Sequence, residues 1–87
     1  MFVIITYDVG EKRVSKVCKK LRAYLRWTQN SVFEGEITKG NLMKCLNEIQ
    51  KITNPEEDSV YLYQVENPYH IQKKILGQEK GFDELFL

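Results

Sequence analysis

The amino-acid sequence predicts a single α+β domain in which two helices cover one face of a four-stranded antiparallel sheet. Three observations carry that prediction. Two segments repeat apolar residues with a helical period, four short segments are rich in β-branched and aromatic residues, and the two kinds follow one another as β-α-β-β-α-β. The 87 residues leave room for one core only. A chain of this size buries roughly 60–65% of its unfolded surface, so its stability margin is thin and a second copy would add buried area.

Residues 1–7, Met-Phe-Val-Ile-Ile-Thr-Tyr, form an apolar run without polar alternation, as expected of a central strand covered on both faces. Asp8-Val9-Gly10 ends it with turn chemistry. From Glu11 the period changes. Val14, Val17, Cys18, Leu21, Tyr24 and Leu25 make one helical stripe, and Lys12, Lys16, Lys19, Lys20, Arg22 and Arg26 occupy the opposite arc. Trp27 to Ile37 alternates around Glu34-Gly35 and reads as two short strands in a hairpin. Thr38 is placed to cap a second helix, whose stripe is Leu42, Cys45, Leu46, Ile49 and Ile52. Asn54-Pro55 stops that helix, and Glu56-Glu57-Asp58 is expected to be a solvated turn. Ser59 to Val65 is the last core strand, with Val60, Leu62 and Gln64 on one face and Tyr61, Tyr63 and Val65 on the other.

This order over residues 1–66 is the ferredoxin-like one. Residues 67–87 do not belong to it. They are expected to form an extension that packs on the partner subunit, with the apolar end, Phe82 to Leu87, as an additional C-terminal strand on the partner's sheet edge. The sheet side without helices is apolar as well, so the sequence predicts a homodimer with sheets face to face.

Charge is segregated. Thirteen Lys/Arg against twelve Asp/Glu leave a net +1, yet seven of the basic residues lie between Lys12 and Arg26, a window with no acid. Like charges at i,i+4 repel, so such an arc is either a solvated face or one built for an anionic partner such as nucleic acid. Cys18 and Cys45 lack metal-ligand spacing and fall on apolar helix faces, which suits buried reduced thiols. No apolar stretch approaches 18 residues and no signal peptide precedes the first strand, so a cytoplasmic protein without a membrane span is expected.

Asp8 is the most informative position: a carboxylate closing an apolar central strand. It is either a turn or cap residue or a ligand for a metal. One carboxylate is too few for a tight site, but two copies across a dimer axis would suit Mg²⁺. Arg13, in the first helical turn, is placed to bind phosphate or to pair with a carboxylate. His70, the only histidine, has no companions for a triad or metal cluster. Trp27, Phe33 and Tyr24 read as core.

Several segments together resemble the second of the two core CRISPR adaptation proteins, the Cas two family. They are Val3-Ile4-Ile5-Thr6-Tyr7-Asp8-Val9, Arg13-Val14 with Lys16-Val17 and Leu21, Trp27-Thr28-Gln29-Asn30-Ser31-Val32-Phe33-Glu34-Gly35, Asp58-Ser59-Val60 and Leu76-Gly77. The Gln-x-Ser-Val-Phe-Glu segment is the most specific. The resemblance implies a homodimer of ferredoxin-like subunits with Mg²⁺-dependent endonuclease activity on single-stranded RNA or double-stranded DNA. It also implies a partnership with the CRISPR integrase (Cas one) in spacer acquisition. It carries the metal-binding aspartate onto Asp8, and the residues around the site onto Tyr7, Arg13, Ser31 and Phe33. On that reading a water attacks phosphorus at the metal, and Arg13 neutralises the scissile phosphate. Lys12, Arg13, Lys16, Lys19, Lys20, Arg22 and Arg26 would contact nucleic acid. Some relatives carry a basic residue where this chain has Trp27, with Arg26 adjacent. The rival readings are a non-catalytic dimeric scaffold for the integrase and a stand-alone RNA-binding module. An acylphosphatase-like enzyme is disfavoured, because Asp8-Val9-Gly10-Glu11 supplies no arginine to a phosphate loop.

If the apolar end completes a dimer, deleting residues 81–87 should shift the protein toward monomer at a fixed dilution in sedimentation velocity and lower its melting temperature.

Overall fold

A computed structural model describes residues 1–80, so the strand expected over 82–87 lies outside the described residues. The described chain runs β1 (Phe2–Asp8), α1 (Glu11–Arg22), β2 (Arg26–Gln29), β3 (Val32–Glu36), α2 (Lys39–Ile52) and β4 (Ser59–Val65), followed by a 3₁₀ turn at Pro68–His70. The sheet order is β2-β3-β1-β4, with every neighbouring pair antiparallel. This is the ferredoxin-like α+β arrangement that the alternation of periods predicts.

β1 is central, and its pairings fix which way each side chain points. Ile5 stands opposite Phe33 on one side and Leu62 on the other, and Asp8 stands opposite Ser59. Val3, Ile5 and Tyr7 are buried beneath the helices, while Phe2, Ile4, Thr6 and Asp8 alternate onto the other face. The helices meet the inner face with Val17 and Leu21 from α1 and Leu42, Cys45 and Ile49 from α2. Phe33, Ile5, Leu21, Val3, Val17 and Cys45 are the largest side chains buried outright. Removing a ring such as that of Phe33 would cost about 3–5 kcal/mol, a large share of the total stability of a domain this size.

α1 ends three residues earlier than its apolar stripe suggests. The amides of Ala23, Tyr24 and Leu25 still bond back to the carbonyls of Lys20 and Leu21, but the chain then extends. Trp27 and Thr28 favour a strand, and pairing with β3 captures Arg26 opposite Glu34. Leu25 is buried all the same, delivered by a turn rather than a helix. Arg26 therefore belongs to β2, not to the basic helical arc. α2 follows expectation: Thr38 Oγ1 accepts from the Asn41 amide at 3.2 Å, and the helix stops at Ile52.

The turn before β4 departs from expectation more sharply. Asp58 is not solvated; its side chain has no exposed surface. The carboxylate accepts four hydrogen bonds, from Arg13 Nε at 2.6 Å, Arg13 Nη2 at 2.9 Å, and the amides of Gly10 and Asn54 at 2.8 Å each. Glu57, exposed beside it, adds a 2.9 Å contact to Arg13 Nη2. Burial alone would favour the neutral acid, but the Arg13 guanidinium, helped by the two amides, outweighs it and holds the carboxylate far below the usual range. A Cβ on Gly10 would lie 2.5 Å from Arg13 Nη2, so any other residue here must displace the guanidinium from its place beside Asp58.

The stability due to Asp58 is fully present above the unfolded carboxylate value of about 3.9 and is lost as the pH falls toward its lower folded value. Thermal melts should therefore show a loss of stability that begins below about pH 4. Asp58→Asn should lower the melting temperature at pH 7 and flatten that acid limb, and Gly10→Ala should reproduce part of the neutral-pH loss by displacing Arg13.

Candidate functional site

Asp8 ends β1 on the face that no helix covers. Its carboxylate is exposed and makes no hydrogen bond or ion pair among the described residues. Ile4, Thr6, Tyr61 and Tyr63 share this face, with Tyr61 and Tyr63 more than half exposed. The described residues hold no cluster of three or more acids, cysteines or histidines. At the end of β1, one chain thus offers a metal a single carboxylate without a partner among the described residues. Mg²⁺ commonly binds through one or two carboxylates and keeps its remaining waters, so two such groups brought together by two copies fit that ion.

Tyr7, adjacent in sequence, points the opposite way. Its ring lies 6.1 Å from that of Phe33, and its hydroxyl sits 3.0 Å from Cys18 Sγ and donates to the Asn30 carbonyl at 3.5 Å. Burial, reinforced by Cys18, pushes the phenol well above its usual range, so it stays protonated. Phe33 is wholly enclosed. Ser31 extends the β1–β3 pairing, its carbonyl accepting from the Tyr7 amide at 3.1 Å. The structure thus gathers Tyr7, Ser31 and Phe33 around one another and sets the Tyr7 and Phe33 rings on the far side of the sheet from the Asp8 carboxylate. Among the groups expected at a catalytic site, these two rings are core.

Arg13 pairs with carboxylates from the turn before β4. Its guanidinium is committed to Asp58 and Glu57. Asp58 is the residue sequence reasoning missed. The available signal was an arginine in the first turn of the helix that follows β1, and an acid immediately before the strand that neighbours β1. Both thiols are free, and burial pushes that of Cys45 up to about 11.

Lys12, Lys16, Lys19, Lys20 and Arg22 are exposed on α1, on the side away from the sheet. Lys20 reaches Glu48 at 3.9 Å, whereas Lys12, Lys16 and Lys19 make no ion pair among the described residues. The basic arc and Asp8 therefore occupy opposite faces of the subunit. Arg26 differs, because β2 carries it to Asp8's face. There it lines a groove of about 490 Å³ between Ile4, Val32 and Glu34 and the segment from Lys73 to Lys80. Lys73 bonds to Glu34 at 3.1 Å across that groove, so this part of the C-terminal extension lies over its own sheet.

A family profile described as CRISPR associated protein Cas2 matches residues 1–72. The chain belongs to the Cas2 family. It is 53% identical over 79 residues to a Thermodesulfovibrio yellowstonii protein named CRISPR-associated endoribonuclease Cas2 3, covering 91% of this chain and 90% of that one. It is 45% identical, over the full length of both chains, to a Dictyoglomus turgidum protein named CRISPR-associated endoribonuclease Cas2. Among solved structures, a crystal structure of Cas2 matches with a TM-score of 0.84 and 39% identity, covering 92% of this chain and 90% of the other. Streptococcus pyogenes Cas2 matches with a TM-score of 0.79 and 29% identity, over 88% of this chain and all of that one. The fold expected from the Cas2 resemblance is the fold observed.

If the α1 arc of this Cas2-family chain contacts phosphates, affinity for nucleic acid should fall linearly in a log–log plot against salt. Replacing Lys16 and Lys19 by Gln should then reduce that slope by about 1.4 for single strands or 1.8 for duplex DNA. Fluorescence anisotropy over a salt series measures it; an unchanged slope returns the arc to a solvated face.

Proposed function

We propose that this chain is a homodimeric, Mg²⁺-dependent endonuclease, acting on RNA before duplex DNA, and a dimeric partner of the CRISPR integrase in spacer acquisition. The observation that carries the reading is Asp8: an exposed carboxylate without a partner among the described residues, at the end of the central strand, on the sheet face that no helix covers and that residues 73–80 cover only on the β2–β3 side. The ribonuclease names of relatives 45–53% identical support nuclease chemistry on RNA. The apolar and tyrosine-rich outer face supports the dimer, since an exposed patch of that kind marks an interaction surface. Among the described residues no helix is long and apolar enough to cross a membrane.

In this reading two Asp8 carboxylates from facing sheets hold the ion. When bound, it supplies the Lewis acidity that phosphodiester hydrolysis requires. Asp8 contributes charge and oxygen ligands and is held by the strand backbone. Thr6, one turn of the pleat away on the same face, offers the nearest hydroxyl on β1. Arg13 acts through Asp58, not on the phosphate. Tyr7, Ser31 and Phe33 shape the end of the sheet from behind.

A second reading is favoured by one observation: the basic arc and Asp8 face opposite ways. Nucleic acid lying along α1 does not run onto the carboxylate, which is the geometry of a scaffold holding DNA for the integrase.

Asp8→Asn keeps the shape and removes the ionic ligand. It should abolish Mg²⁺-dependent cleavage of a labelled single-stranded RNA while sedimentation and melting stay unchanged, and EDTA should do the same to the parent. The variant should still bind the integrase in a pull-down. Cleavage at the parental rate by purified Asp8→Asn would remove the nuclease assignment and leave the scaffold.

A further inference from the structure

We infer that the Asp58–Arg13 clasp is the positioning device for Asp8: one buried carboxylate sets both the end of the strand that carries Asp8 and the start of the helix that follows. The inference rests on the reading of Asp8 as the metal ligand. Asp8 has no side-chain partner of its own among the described residues, so its backbone alone aims it. That backbone is fixed on one side by pairing with Ser59. Two residues on, where the strand ladder has ended, the Gly10 amide donates to Asp58 Oδ1 at 2.8 Å, so a side chain supplies the rung that backbone no longer can. The Gly10 carbonyl in turn accepts the amides of Arg13 and Val14 at 2.9 and 3.0 Å, which begins α1. Arg13 then closes the ring with two bonds to Asp58. The exit Asp8-Val9-Gly10 is thereby held at both ends by residues adjacent in β4's approach, Asp58 and Ser59.

The same geometry argues against Arg13 as a phosphate ligand. Turning its guanidinium to a substrate would leave a fully enclosed carboxylate unpaired, which is strongly unfavourable. Lysine cannot replace it, because the contact uses Nε and Nη2 together.

Manganese is the probe, read by paramagnetic broadening of backbone amide signals in the intact protein. The Asp8 amide should broaden in the parent and not in Asp8→Asn. Asp58→Asn and Arg13→Gln should each raise the Mn²⁺ concentration for half-broadening by about tenfold, the lower end of the range seen for residues that support a metal ligand. The double variant should be no worse than either single, because both break one unit. Arg13→Lys keeps a cation opposite Asp58 and so protects the fold if Asp58→Asn does not; it should move the midpoint in the same direction. A clasp that is only structural would lower the melting temperature and leave the midpoint within twofold of the parent in all folded variants, which overturns the proposal. So would a loss of nucleic-acid affinity with a shallower salt slope in Arg13→Gln but not in Asp58→Asn. Persistence of the broadening in Asp8→Asn would instead overturn the metal reading itself.

Discussion

The described structure depends on a carboxylate that water does not reach. Asp58 sits where the end of β1, the start of α1 and the approach to β4 converge, and each contributes a donor to it. The gain is less in strength than in uniqueness: the ion pair is satisfied in one arrangement of three segments and badly unsatisfied in any other. Gly10 shows how tight the arrangement is. Its missing Cβ leaves the space that the guanidinium fills, so a backbone feature and an ion pair are specified by the same residue.

Much of the fold was legible because period and composition changed together. The uninterrupted apolar run before Asp8, the helical stripe beginning at Val14 and the alternation in Ser59 to Val65 each had one consistent interpretation, and the Thr38 cap was read from residue type alone. The basic window misled at its end. Tyr24, Leu25 and Arg26 continue the helical spacing, and only pairing with β3, a tertiary event, decides that Arg26 is a strand residue. Asp58 was hidden by its neighbours. Glu56 and Glu57 look like solvent-seeking charge, and both are exposed; the third acid of the run is enclosed because its partner is 45 residues away in sequence.

The candidate site divides along similar lines. Asp8 was visible as an acid at the wrong end of an apolar strand, and it emerged free and exposed. Residue type could not say that the arc's helix would lie on the opposite face of the sheet from this acid, since that follows from which strand face the helices occupy. Nor could adjacency reveal that Tyr7 and Asp8 part company, although strand alternation contains the answer: Tyr7 shares its parity with Val3 and Ile5, and Asp8 with Ile4 and Thr6.

That parity makes the length of β1 part of its chemistry. Both flanks of the strand are paired in register, from Phe2 to Thr6 with β3 and from Phe2 to Asp8 with β4, so it has no free edge along which to slide. A one-residue insertion within it would exchange a phenol and a carboxylate between interior and exterior. Changes to β1 are therefore constrained in kind: its side chains can be traded within a face, whereas a residue gained or lost before the acid would put the core behind it out of register.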